Sequence, residues 1–178
     1  MLFRSLGWPD RFATAEGTAR QHELARLAGR AQVYTPQVVA DGRDWRVWPQ
    51  LPARAASAPS PVSLTLTRDG DKVSAHVSAH VSANDSANNK APPQLAGYWA
   101  VLEDQHQSQV RAGENAGQTL QHDHVVRLYK PVTPWPAAKG LSAELSVSRG
   151  VAAHPRRVVF VVTDAVTAKP LQALALGC

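Results

Sequence analysis

The sequence predicts a mainly β protein, with a C-terminal antiparallel β-sandwich over residues 62–178 preceded by a shorter α/β segment over residues 1–48. Three observations predict it. From Val62 onward apolar and polar residues alternate with a period of two, the repeat of a half-buried strand. Eight short runs of strand character follow, at 62–67, 72–81, 97–103, 107–111, 124–131, 142–148, 156–163 and 170–176. The 13 prolines and 11 glycines are spread between short apolar runs, the punctuation expected of a sandwich or barrel.

Residues 13–29 read as the one helix. Leu24, Leu27 and Ala28 stand at i, i+3 and i+4, with Arg20, Glu23, Arg26 and Arg30 on the opposite side. Thr14 is placed to cap its start, and Gly29 stands where a helix ends. Residues 33–39, VYTPQVV, read as a strand interrupted by Thr35-Pro36; a proline without an N–H marks an edge, a bend or a cis bond. Asp41-Gly42 is a hairpin turn signal, followed by Trp45 and Trp48. The Pro/Ala/Ser-rich stretch within 49–61 has no periodicity and reads as a linker between two units.

Beyond the linker, Val62, Leu64 and Leu66 share one strand face, and Asp69-Gly70 turns the chain into a return strand with Val73, Ala75 and Val77 on one side. That strand holds an internal repeat, VSAH-VSAH-VSAN, over residues 73–84. Four residues are two strand periods, so an added copy lengthens the strand without exchanging its faces. The polar stretch NDSANNKAPP that follows reads as a loop, and Asp164 to Pro170 as the last hairpin connection.

The net charge of +5 and the pI near 9.8 do not point to nucleic acid. Eight basic residues lie in 1–60 and eleven in 61–178, interleaved with acids and without a basic run carrying aromatics. No segment has transmembrane length, and Met1 to Ser5 has neither the apolar stretch nor the cleavage site of a signal peptide. The single cysteine, Cys178, excludes an intrachain disulfide and a cysteine metal cage, and is a candidate for joining two chains under oxidising conditions. No nucleophile elbow, phosphate loop or dinucleotide glycine loop occurs, so no cofactor is expected.

Two constellations stand out in the β region. Arg111, Glu114, Asn115 and Arg127 bracket a Gly-flanked loop, a candidate binding loop whose plainer reading is an Asn-Gly turn with Glu114 paired to an arginine. His122 and His124 share a strand face, which suits two ligands, a weak metal-ligand pattern lacking a definite third ligand, with His106 elsewhere in the chain; the plainer reading is a polar turn entering the strand. His76 and His80 arise from the repeat and read as a solvated strand face.

Residues 7–43, with GWPDRFATAEGTARQHELARLAG and then VYTPQVVADGR, resemble a family of secreted bacterial and plant proteins of unknown function. AGENAGQTLQHDHVVRLYKPV (112–132) and VVFVVTDAVTAKPLQALALG (158–177) resemble the same family. The resemblance implies a thioredoxin-like N-terminal domain and a periplasmic or secreted location. It places a strand, a CxxC-type motif and a helix ahead of Gly7-Trp8, so the chain is expected to be truncated within that domain. It also implies that Tyr34, Thr35, Pro36 and Gln37 form a substrate cradle beside the absent thiols. Disulfide exchange needs an attacking thiolate and usually a second cysteine, so redox catalysis by this chain is not expected. Residues 1–48 are then the less stable part, leaning on the β domain. The leading expectation is a non-catalytic envelope or secreted protein whose β domain serves packing or binding. Its alternatives are a thiol–disulfide oxidoreductase in a longer parent, and a metal-binding module through His122 and His124.

Overall fold

The computed structural model describes residues 10–47, 50, 59–80, 90–113 and 116–177. The expected linker, Glu114, Asn115, Trp48, Cys178 and the last copy of the repeat lie largely or wholly outside them.

Helix α1 spans Ala15–Leu27. The Thr14 hydroxyl accepts the Gly17 N–H at 3.0 Å, meeting one of the unpaired donors of the first turn. Gly29, at φ 69°, follows its end. The packed face differs from the expected one. Leu27 is exposed and Ala25 is buried, while Arg20, expected outside, faces the protein. Its guanidinium lies 4.3 Å from the Tyr98 ring centroid and 5.0 Å from that of Tyr129, and donates to the Tyr129 hydroxyl at 2.9 Å. A planar cation with a long apolar stem docks on aromatic faces, so its charge alone does not mark it as outward.

Strands β1 (Val39–Ala40) and β2 (Arg43–Asp44) form a two-stranded ladder. Asp41 and Gly42 between them have φ 50° and 75°, as the hairpin signal requires. The longer strand expected at 33–39 does not form; only its last residue joins a ladder. The Thr35–Pro36 bond is cis, Pro36 has no N–H to donate, and the Tyr34 carbonyl instead accepts from Gln21 Nε2 at 3.2 Å.

The remaining strands are β3 (Val62–Asp69), β4 (Lys72–Ala79), β5 (Gln94–Glu103), β6 (His106–Gln109), β7 (Thr119–His122), β8 (Val125–Pro136), β9 (Leu141–Ser146), β10 (Arg156–Asp164) and β11 (Pro170–Gly177). They form a three-stranded sheet in the order β3-β4-β9, a four-stranded sheet in the order β11-β10-β5-β8, and the β6-β7 ladder. All pairings are antiparallel. The alternation read from the sequence holds: Val62 and Leu64 on β3, and Val73, Ala75 and Val77 on β4, are buried while their neighbours face outward. Gly70 makes the turn at φ 58°.

Both larger sheets contribute to one apolar cluster. Val62, Val73, Val77 and Leu145 come from the three-stranded sheet; Leu95, Trp99, Val158 and Phe160 come from the four-stranded one. Trp99 and Phe160 are ladder partners packed edge to face at 4.6 Å between ring centroids. Gly97 lets the Phe160 ring close in, because an added Cβ would meet the Val161 carbonyl oxygen at 2.8 Å. β8 runs five residues past its expected end, through Pro134 and Pro136. It is the last strand of its sheet, where a proline costs no ladder bond on the open side.

Candidate functional site

The Tyr34–Gln37 segment folds back on the β1-β2 hairpin around a single carboxylate, Asp44. The Tyr34 hydroxyl donates to Oδ1, and Gln37 Nε2 reaches the same oxygen at 3.2 Å. On Oδ2, Arg30 Nη1 lies at 2.5 Å and Arg46 Nε at 3.0 Å. The Asp44 side chain is only 5% exposed, so these bonds are made against little competing water. The Tyr34 hydrogen bond, with those from Arg46, Arg30 and Gln37, outweighs burial and holds the Asp44 carboxyl well below the usual range. Arg46 also lies 5.3 Å from the Tyr34 ring centroid.

This knot of charges supports a cavity of about 660 Å³ lined by Tyr34, Pro36, Val38, Trp45 and Arg46. Its walls are mainly aromatic and aliphatic with one cationic side chain at 69% exposure, the mixture typical of ligand sites. Trp45 is fixed by its indole N–H, which points to the carbonyls of Val47 at 3.1 Å and Gln50 at 2.5 Å. Of the four residues expected to form a cradle, Tyr34 and Pro36 line the cavity and Gln37 braces Asp44. Asp44, Trp45 and Arg46 were not singled out together by the sequence, though they directly follow the recognised Asp41-Gly42 turn.

The second constellation gathers at the end of β5. Glu103, buried in a charged setting, accepts from Arg156 Nη2 at 2.5 Å and Nε at 3.1 Å, faces Arg127 Nε at 3.3 Å, and lies 2.9 Å from His106 Nε2. Burial pushes its carboxyl upward, but the Arg156 and His106 bonds and the two arginine charges win and lower it. Asp104 next to it accepts the backbone N–H of His124 at 2.8 Å, contacts His124 Nδ1 at 2.8 Å and binds Arg157 Nη2 at 2.5 Å. Those bonds, the backbone one foremost, bring its carboxyl to about 2.

The candidate loop residues are divided by this arrangement. Arg127 joins Glu103, whereas Arg111 is exposed and Glu114 and Asn115 lie outside the described residues. The two weak metal candidates also part. β7 ends at His122, and His124 follows with φ 58° and turns to Asp104, so strand alternation does not carry through to it. His122 instead stands directly opposite His106 in the β6-β7 ladder. His76 and His80 are exposed, each beside a serine hydroxyl, at 3.1 Å from Ser142 and 2.6 Å from Ser63.

Fold and site together define a class: a mainly antiparallel β protein carrying an aromatic, cation-rimmed cavity on its N-terminal α/β segment. The chain belongs to the family described as Protein of unknown function (DUF1223), whose pattern matches residues 2–163. Neither a curated protein nor a solved structure matches it. Among the described residues, no helix is long and apolar enough to cross a membrane.

Proposed function

We propose that this protein is a non-catalytic binding member of its family, and that the Tyr34–Arg46 cavity receives an extended, acidic-apolar polypeptide segment. The observation that carries the reading is the cavity itself: Tyr34, Pro36, Val38 and Trp45 offer apolar contact, and the exposed Arg46 offers charge at its rim. The Asp44 knot supports it by preorganising the walls, which lowers the ordering cost of binding. In this reading the N-terminal segment is thioredoxin-like with a cradle that holds a chain without reducing it, the two larger sheets form a sandwich that carries it, and the protein works in the periplasm or outside the cell. The rival reading is a thiol–disulfide oxidoreductase in a longer parent protein, which would supply the dithiol that the one cysteine of this sequence cannot.

Carboxymethylated insulin B chain, extended, acidic and without free thiols, is a suitable probe. Binding is expected to shift the Trp45 indole resonance and to weaken by about tenfold or more in Trp45→Ala, as loss of a central aromatic anchor does. Equal binding by Tyr34→Ala and Trp45→Ala variants that retain the native fold overturns the cavity assignment. Turnover of intact insulin by the native chain in a reduction assay overturns the non-catalytic one.

A further inference from the structure

Two imidazole nitrogens of the β6-β7 hairpin are buried with no hydrogen-bond partner: Nδ1 of His106 and Nε2 of His122. The two residues are direct ladder partners. Directly opposed residues project to the same face with Cβ atoms about 5 Å apart, so the rings share one site. His106 is only 7% exposed, and a buried ring nitrogen left without a partner is costly.

The tautomer of His106 follows from its neighbour. Nε2 lies 2.9 Å from Oε2 of Glu103, a carboxylate that Arg156 and Arg127 keep ionised and that can only accept. Nε2 therefore carries the proton, which in the neutral ring leaves the lone pair on Nδ1. This is the carboxylate–histidine pattern that orients metal-binding imidazoles and raises their basicity. Phe12 closes over both rings, with centroids 5.1 Å from His106 and 5.4 Å from His122.

We infer that Nδ1 of His106 and Nε2 of His122 are the two protein ligands of a borderline divalent transition-metal ion of the Cu²⁺ or Zn²⁺ kind. Imidazole donors without thiolates suit these ions. Among the described residues no group of three or more His, Cys, Asp or Glu side chains is placed to hold a metal, so the other coordination positions belong to water or to a donor from outside. His124 is not part of the site, because its Nδ1 is taken by Asp104 and lies 3.0 Å from Arg157 Nη2. His154 stacks on His106 at 3.9 Å and turns its Nδ1 to the Asp104 carbonyl at 3.3 Å, steadying the ring.

The test is Cu²⁺ titration of the full chain in a His76→Ala, His80→Ala background, which removes the repeat-born pair. One ion per chain is expected, with electron paramagnetic resonance showing coupling to two imidazole nitrogens. His122→Ala, at the hairpin end, should lower affinity by about tenfold or more, while His124→Ala leaves it unchanged. Phe12→Ala keeps both ligands and removes the cover, so it should bind at the same stoichiometry but faster. No uptake by the background protein, a spectrum without two-nitrogen coupling, or native affinity in His122→Ala overturns the assignment.

Discussion

The N-terminal segment and the β region are held together by different physics. In the β region Trp99, Phe160, Leu95, Val62, Val73, Val158 and Val162 are essentially inaccessible to water and lie in one continuous cluster. In residues 10–47 the buried apolar side chain is Ala25, and the named contacts are hydrogen bonds, ion pairs and cation–aromatic stacks. A core built on apolar area is non-directional and gains with every methylene; a scaffold built on charged hydrogen bonds is directional and fails when one partner goes. The first suits a platform. The second suits a site, because it fixes geometry without filling the cavity.

The largest expected break in this contrast comes from Phe160→Ala, which removes a fully buried ring packed on Trp99 and should cost about 3–5 kcal/mol of global stability. Denaturant unfolding measures it; a loss below about 1 kcal/mol, far under the range for such truncations, contradicts a shared core. Gly97→Ala should cost about 1–3 kcal/mol by overpacking, since its Cβ would press on the Val161 carbonyl and the Phe160 ring. Arg20→Ala should act locally, removing about 1–2 kcal/mol of stacking on Tyr98 and Tyr129, and hydrogen exchange in α1 should quicken while β5 and β10 keep their protection. Equal acceleration in both regions erases the distinction. Asp44→Asn should loosen the 30–47 segment to protease with little change in the global unfolding midpoint.

Acid sharpens the comparison at the smallest scale. In the β region the carboxyls of Glu103 and Asp104 are both depressed in the folded protein. A depressed carboxyl contributes stability that is fully present above its unfolded value near 4 and is lost as pH falls through its folded value. Stability should therefore decline below about pH 4, with the Asp104 share fading toward its folded value of about 2. Urea midpoints measured down that range check the sign, and a rise on acidification contradicts it.

Much of the β framework was legible because alternation is local: Val73, Ala75 and Val77 reveal their face within a single strand. The helix was legible from its ends, Thr14 and Gly29, better than from its faces, where a charged Arg20 pointed inward onto two tyrosines 78 and 109 residues away in sequence. β7 was missed because Thr119-Leu120-Gln121-His122 holds one aliphatic residue and has no apolar period to read. The site was half legible. Tyr34, Pro36 and Gln37 stood out by resemblance, but Asp44, which accepts from Tyr34 and Gln37, is an ordinary acid until the hairpin brings it within reach. His106 and His122 were likewise unlinked until a ladder set them opposite each other.

The four-residue repeat in β4 has a consequence at the level of the gene. Four residues are twelve nucleotides, so replication slippage that adds or removes one copy keeps the reading frame. In the protein the same event moves every later strand residue by an even number of places, returning valine and alanine to the inward face and serine and histidine to the outer one. Neither the code nor the core resists such a change. Related genes should therefore differ in the number of copies far more readily than in the identity of Val73 or Ala75, whose side chains are completely buried.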